Sequence, residues 1–325
     1  MKALPVLVIA AATAIPLAAQ QPSRPKVLGV AHMAIYVKDL AKTRQFYEKF
    51  LGFAEPFTLP KKGGEPGVRI AFTKINDSQY IEIFNEADRG EGQLNHIAIY
   101  TDNADRMRDY LRANHIEPMG NAAQGPVPKG QTGNKNLNVK DPDGHIVEIV
   151  EYQPDSWTAQ HAGKDMPPDR ISTAIMHVGF LVGDLDKSTH FYGDLLGFTE
   201  TWRGGGNPSS LSWVNMRVPD GKDYVEFMLY SELPEPDNRG TKNHMSLTVP
   251  DAQKALDELK RRAAQGLYTA PEGKELAIQV GVNRKRQINL YDPDGTRIEL
   301  MEANTVDGKP APNSTAPAPH PTRAN

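Results

Sequence analysis

Cysteine is absent from all 325 residues. That excludes disulfides, thiolate nucleophiles and cysteine-ligated metal. Excess positive charge is also lacking. Lys and Arg number 37 against 40 Asp and Glu, for a net charge of −3, so no extended cationic surface and no nucleic-acid partner are expected. Beyond the first twenty residues no apolar run is long enough to cross a membrane. What remains, 39% apolar and 24% charged, is the composition of a globular chain of about two domains.

The ends differ from the body. MKALPVLVIAAATAIPLAAQQPS carries one lysine, an apolar stretch and small residues near Ala18–Ala19. It reads as a secretory signal peptide over 1–19, the alternative being an anchor, for which the run is short. A periplasmic or secreted protein, free of the membrane after cleavage, is therefore expected. The other end, 304–325, is rich in Pro, Ala and small polar residues and is expected to be disordered. Residues 153–173 read as a linker between bodies at 27–152 and 174–303.

The two bodies repeat each other. AHMAIYVKDLAKTRQFYEKFLGF (31–53) matches MHVGFLVGDLDKSTHFYGDLLGF (176–198), and DPDGHIVEI (141–149) matches DPDGTRIEL (292–300). Each body repeats within itself, since HMAIY (32–36) returns as HIAIY (96–100). The chain thus holds four modules. Each opens with a histidine-bearing strand, then a helix capped by Asp39, by Asp102 or Asn103, by Asp184 or by Asp251, then short strands. In the first helix Leu40, Thr43, Tyr47, Phe50 and Leu51 form the apolar stripe. The module reads β-α-β-β-β. DPDG is hairpin punctuation: Pro and Gly specify a tight turn with one residue at positive φ.

A glutamate sits inside an apolar strand in every module: Glu82, Glu148, Glu226 and Glu299. A buried carboxylate requires a partner. His32, His96, His177 and His244 hold the same strand position in the four modules, and the His-to-Glu separations are 50, 52, 49 and 55 residues. Two modules then supply two imidazoles and two carboxylates, a set that suits Fe2+, Mn2+, Ni2+, Co2+ or Zn2+ and leaves coordination positions open. A lone strand histidine is more often a hydrogen-bonded core residue, and modules of common origin could share a relic pattern. The other histidines, His115, His145, His161, His190 and His320, are read as surface residues.

These modules, with DLxxxxxFYxxxLGF, NHIAIY and DPDGxxxE, resemble the vicinal oxygen chelate (VOC) superfamily over nearly all of 27–303. That group includes glyoxalase I, methylmalonyl-CoA epimerase, extradiol dioxygenases and fosfomycin and bleomycin resistance proteins. The resemblance implies an α+β fold in which four βαβββ modules form two glyoxalase-like domains with cup-shaped incomplete barrels. It implies metal ligation by His32, Glu82, His96, Glu148, His177, Glu226, His244 and Glu299. It also implies that a ligating glutamate moves a proton, with Glu148 and Glu299 the first candidates and Glu82 and Glu226 next. Two pairings stay open. Modules one and two may share a cup, or module one may pair with four, giving His32, Glu82, His244 and Glu299 in one site.

On reaction type, the resemblance favours a metal-dependent lyase or isomerase of the glyoxalase or epimerase type acting on a small oxygen-chelating molecule. The glyoxalases resembled carry an arginine four residues after the first-strand histidine. Tyr36 and Leu181 stand there, which argues against a glutathione-linked substrate. An Fe2+ extradiol dioxygenase is the second reading, weakened by the extra glutamates. A metal-free binding or resistance protein is the third. Monomer and homodimer are both compatible. NRKRQ (283–287) could draw an anionic substrate to a cup mouth or be a solvated charge run, and RGGGNPSS (203–210) has no helix after it to make a phosphate cradle.

Overall fold

The computed structural model of the chain describes residues 22–86, 93–123 and 125–319; the expected signal segment and His320 lie outside these. The first module runs β1 (Val27–Tyr36), α1 (Leu40–Arg44), β2 (Ala54–Pro60), β3 (Val68–Lys74) and β4 (Tyr80–Phe84). The second has β5 (Leu94–Thr101), α2 (Ala104–Ala113), β6 (Lys135–Lys140) and β7 (Ile146–Glu151). A short helix α3 (Trp157–Gln160) follows. The third module has β8 (Ile175–Val182), α4 (Leu185–Ser188), β9 (Thr199–Gly204), β10 (Trp213–Arg217) and β11 (Tyr224–Leu229). The fourth has β12 (His244–Val249), α5 (Ala252–Ala264), β13 (Gln279–Val280), β14 (Lys285–Tyr291) and β15 (Arg297–Thr305).

These strands form two mixed sheets, ordered β2-β3-β4-β1-β5-β7-β6 and β13-β14-β15-β12-β8-β11-β10-β9. Modules one and two therefore share a sheet, as do three and four. The centre of the first is β1, parallel to β4 and antiparallel to β5, with β7 parallel to β5. The second repeats this around β8, β11, β12 and β15. This is the expected α+β architecture of two cups. Two of the four modules depart from the scheme in detail, the second having three strands among the described residues and the fourth only a two-residue β13.

The helices begin where the capping residues predict. Asp39, Asn103, Asp184 and Asp251 each accept backbone N–H groups of their own first turn. The stripe Leu40, Thr43, Tyr47, Phe50 and Leu51 is buried. Beyond α1 and α4 the winding loosens to a π-helix over Gln45–Phe50 and Thr189–Leu195.

DPDG does more than turn the chain. Gly144 and Gly295 take φ of 89° and 91°, as such a turn requires. Asp141 Oδ1 accepts from the N–H of Asp143 and His145, and Asp292 Oδ1 from that of Asp294 and Thr296. The second oxygen of each reaches the other domain. Tyr47 donates its hydroxyl to Asp292 at 3.2 Å, and Tyr192 donates to Asp141 at 3.1 Å. The Lys38 N–H donates to Asp294, and the Gly183 N–H to Asp143. So strands pair one with two and three with four, while helices dock one on four and three on two. A single apolar core joins both domains.

Three expectations need correction. His145 is buried, its Nε2 2.8 Å from the Leu181 carbonyl, because the turn that carries it packs against β8. The segment 153–173 connects the domains but is packed: Trp157 sits among Phe57, Phe72 and Tyr80, and Lys74 Nζ donates to Asp77 and to the carbonyls of His161 and Lys164. Of the tail expected to be disordered, residues 304–305 complete β15 and 306–319 are placed against the third module. It cannot build a core, but it lies along β9: Leu211 N–H donates to Pro317, Ser314 N–H to Arg203, and Trp202 Nε1 to Pro312.

Candidate metal centres

Alternation along the strands decides which side chains enter each cup. On β1, His32 and Ala34 share the inner face. Register sets Ala34 beside both Glu82 of β4 and His96 of β5, and Ala98 of β5 beside Glu148 of β7. In the second domain Gly179 lies beside Glu226 and His244, and Ser246 beside His177 and Glu299. Small residues thus floor each cup. Gly179 has to be small, because a Cβ there would stand 2.0 Å from His244 Cε1.

The structure brings all eight sequence-derived residues together, in two groups of four. In the first, His32 Nε2 and His96 Nε2 are 2.8 Å apart. Glu82 lies 3.6 Å from each histidine, and Glu148 lies 3.3 Å from His96. In the second, His177 and His244 are 3.0 Å apart at Nε2. Glu226 is 3.9 and 3.3 Å from them, and Glu299 3.6 and 3.7 Å. All eight are buried. Donor atoms of His32, Glu82 and His96 fall within 4.8 Å of one another, as do those of His177, Glu226 and His244.

Burial holds three of the imidazoles, those of His32, His96 and His177, neutral. It takes His32 well below its usual range, with help from His96, and brings His96 to about 3 and His177 to about 4. A neutral imidazole offers a free nitrogen lone pair, the form that binds metal. The outer nitrogen of His96 supports this, its Nδ1 facing Asn95 Oδ1 at 2.8 Å; His244 Nδ1 lies between the Lys242 carbonyl at 2.9 Å and the Arg297 Nη2 donor at 2.8 Å. An acceptor at Nδ1 keeps the proton there and leaves Nε2 to ligate. Each first-strand histidine also stacks on a tyrosine at 4.6 Å, His32 on Tyr80 and His177 on Tyr224. Two buried His–Glu–His triads therefore have the make-up of divalent-metal sites.

The cups differ in charge. In the first, burial and the neighbouring Glu148 raise Glu82 well above the usual range, and burial brings Glu148 to about 7 against a hydrogen bond from Asn136. In the second, burial works to raise Glu226, but His177, His244 and Arg297 outweigh it and bring it to about 2. The first cup encloses about 260 Å³, lined by Asn134, Asn136 and Asn138 and by Arg69, Phe72 and Tyr80. The second encloses about 230 Å³, lined by Gln287, Arg297, Trp202, Trp213 and Met301. The individual roles of these lining residues escape sequence reasoning. Their signal is the alternation in NKNLNVK (134–140) and KRQINLY (285–291), where every second residue is polar and faces inward.

A family model described as Glyoxalase/Bleomycin resistance protein/Dioxygenase superfamily matches residues 29–149 and 174–300. No curated protein matches the chain in sequence. Among solved structures, the 2,3-dioxygenase LapB from Pseudomonas sp. KL28 is similar with a TM-score of 0.63 at 16% identity, over 89% of this chain and 97% of that one. An extradiol ring-cleaving dioxygenase from B. fuscum gives 0.61 at 16%, over 91% and 77%. The Mn(II)-bound glyoxalase from Novosphingobium aromaticivorans gives 0.63 at 15%, over 90% and 88%. At such identities the likeness is one of fold.

Proposed function

The chain belongs to the Glyoxalase/Bleomycin resistance protein/Dioxygenase superfamily, and from that premise we propose that it is a divalent-metal enzyme of the glyoxalase or epimerase type. Its substrate is a small molecule with two neighbouring oxygens, and its chemistry is proton transfer or elimination. The observation that carries this is the second carboxylate. Two glutamates, not one, face each histidine pair, at 3.3 to 3.9 Å from histidine Nε2 atoms. Two imidazoles and one carboxylate suffice for an oxygen-activating iron site. A further carboxylate is available to move a proton.

His32, Glu82, His96 and Glu148 would hold one ion, and His177, Glu226, His244 and Glu299 the other. A bound divalent ion supplies Lewis acidity toward the two substrate oxygens. The rest falls to the chain. Glu148, brought by burial to about 7, is suited to take and return a proton near neutral pH. Glu299 holds the matching position on β15. Aromatic side chains, Phe72 and Tyr80 in one cup and Trp202 in the other, wall the cavities beside the glutamates.

The extradiol reading remains second, supported by the fold shared with two dioxygenases. Metal content of anaerobically purified, untagged protein separates the two. About two divalent ions per chain, lost in Glu148→Ala/Glu299→Ala, supports two glyoxalase-type cups. One iron per chain supports the dioxygenase. No bound metal after reloading with Fe2+, Mn2+, Ni2+, Co2+ and Zn2+ refutes both.

A further inference from the structure

The two cups share their candidate ligands, but the space beside them is filled in one and open in the other. Beside Glu82 in the first sheet lies Phe72 of β3, and beside Phe72 lies Phe57 of β2. The same register positions of the second sheet, beside Glu226, hold Asn215 and Trp202. The chain leaving the last strand differs as well. Counting on from the DPDG turns, Tyr152 corresponds to Ala303 and Trp157 to Gly308. Structure anchors this alignment, since Glu151 and Glu302 each accept from the N–H that opens a helix, that of Ala104 or of Ala252. Three aromatic residues of the first domain, Phe72, Tyr152 and Trp157, are thus asparagine, alanine and glycine in the second.

In the first domain these rings close the space. Phe72 and Tyr80 line the cavity of about 260 Å³, and the buried Trp157 packs against both, its ring centre 5.4 and 5.6 Å from theirs. Tyr152 packs against the same cluster and donates its hydroxyl to the Ser78 carbonyl at 2.6 Å. In the second domain Tyr224 stacks on His177 as Tyr80 stacks on His32, but among the described residues no second aromatic ring lies against it. A chamber of about 370 Å³ opens there instead, lined by Tyr224, Asn215, Trp202, Ala303 and Gly308. It adjoins the cavity of about 230 Å³ lined by Glu226 and Glu299, and the two share Trp202 and Asn283. A cavity of about 150 Å³ is enough for a benzene ring. Residues 308–311 of the tail wall the chamber, and the tail is then tied to β9, where Trp202 Nε1 donates to the Pro312 carbonyl and the Arg203 N–H to Asn313 Oδ1, each at 3.2 Å.

We propose that the second cup takes a substrate with a ring-sized substituent beyond its two chelating oxygens, seated in the chamber between Trp202, Asn215 and the tail. The first cup offers no such seat. Asn215, Ala303 and Gly308 determine the difference through the volume they leave free. This rests on the reading of the cups as metal-bearing substrate sites and narrows the substrate of one of them.

The test compares catechol with 4-phenylcatechol, which share two neighbouring oxygens and differ by one ring. Isothermal titration calorimetry on full-length, Zn2+-treated protein reads binding without turnover. Glu82→Ala/Glu148→Ala isolates the second cup, and Glu226→Ala/Glu299→Ala the first. At the second cup the added ring should tighten binding at least about tenfold, as burial of that much apolar surface implies. At the first cup it should add little. Asn215→Phe/Ala303→Tyr, which copies the first domain, should remove the gain at the second cup. A gain of equal size at both cups, or one that survives Asn215→Phe/Ala303→Tyr, overturns the proposal. Zinc content of the same samples keeps the two ideas apart. Bound zinc without the gain sinks the chamber assignment alone. Absent zinc with a gain that Asn215→Phe/Ala303→Tyr removes sinks the metalloenzyme reading alone, and absent zinc with no gain sinks both.

Discussion

Replacing Gly179 with alanine would abolish the metal binding proposed for the second cup while leaving that of the first intact. The added Cβ would lie 2.0 Å from His244 Cε1, 2.5 Å from Nδ1 and 2.6 Å from Nε2. An ordinary carbon contact begins near 3.4 Å, so the imidazole would have to retreat by about 1.4 Å. It has little room, because the ring is fully buried, edge-on to His177 at 5.1 Å and tied through Nδ1 to the Lys242 carbonyl. Metal–ligand distances tolerate about 0.2 Å. The shift exceeds that several-fold, so His244 leaves the ligand set. Affinity at that cup should fall by more than about a hundredfold. Overpacking should cost a further ~1–3 kcal/mol. The assay is metal stoichiometry in a Glu82→Ala/Glu148→Ala background, where the second cup alone can load. Gly179→Ala should take bound metal from about one per chain to none at micromolar free ion. The corresponding residue of the first cup is already Ala34, so Ala34→Gly should leave metal content unchanged there. Retention of metal with unaltered affinity in Gly179→Ala would refute the assignment of His244 as a ligand.

Two further outcomes follow from the charges. Glu148 sits at about 7, so protons compete with metal below that pH; Glu226 sits at about 2 and His177 at about 4, so these two residues of the second cup take no proton in that range. With Glu226→Ala/Glu299→Ala, metal affinity of the first cup should drop up to about tenfold per unit as pH falls below 7. The second cup, isolated by Glu82→Ala/Glu148→Ala, should lose affinity less steeply over the same range, because Glu226 and His177 take no proton there, as followed by competition with a chromogenic chelator. The interdomain contact gives a stability signature. Burial raises Asp292 from 3.8 to about 7, so between these values the folded chain holds a proton the unfolded chain has lost. Its contribution to stability is full below about pH 4 and is lost as pH rises toward 7. Denaturant midpoints should show that loss in the wild type, and Asp292→Asn should flatten it. Tyr47→Phe, which leaves the buried Asp292 Oδ2 without its donor, should cost about 1–3 kcal/mol.

Much of the site was legible because its code is local. A glutamate inside YIEIF or RIELM is turned inward by the two-residue period of the strand, whatever the strand packs against. The fourfold recurrence of His and Glu then marks the eight positions, and all eight meet in the structure. His145 was misread for the complementary reason. Its neighbours in sequence form a turn, and nothing local tells that the turn is covered by β8 of the other domain. Trp157 and the 304–319 tail mislead similarly: their partners, Phe72 and Arg203, are distant in sequence.

The sequence alone determined the four modules, where their helices begin to within a residue, the tight DPDG turns and the eight residues offered to the cups. These depend on spacing, capping and alternation within short stretches. Which modules share a cup was a tertiary matter. Both pairings satisfy the same local patterns, and both are used, at different levels: backbone ladders join one with two and three with four, while Tyr47 and Tyr192 carry helices across to Asp292 and Asp141. Sheet register commits whole rows of backbone groups at once and so fixes the cups. The helices, with their own hydrogen bonds satisfied internally, remain free to bury their apolar stripes against whichever domain completes the core. The same packing left Lys285 facing a cavity while Arg284 and Arg286 found acidic partners, a distinction that five adjacent polar letters do not contain.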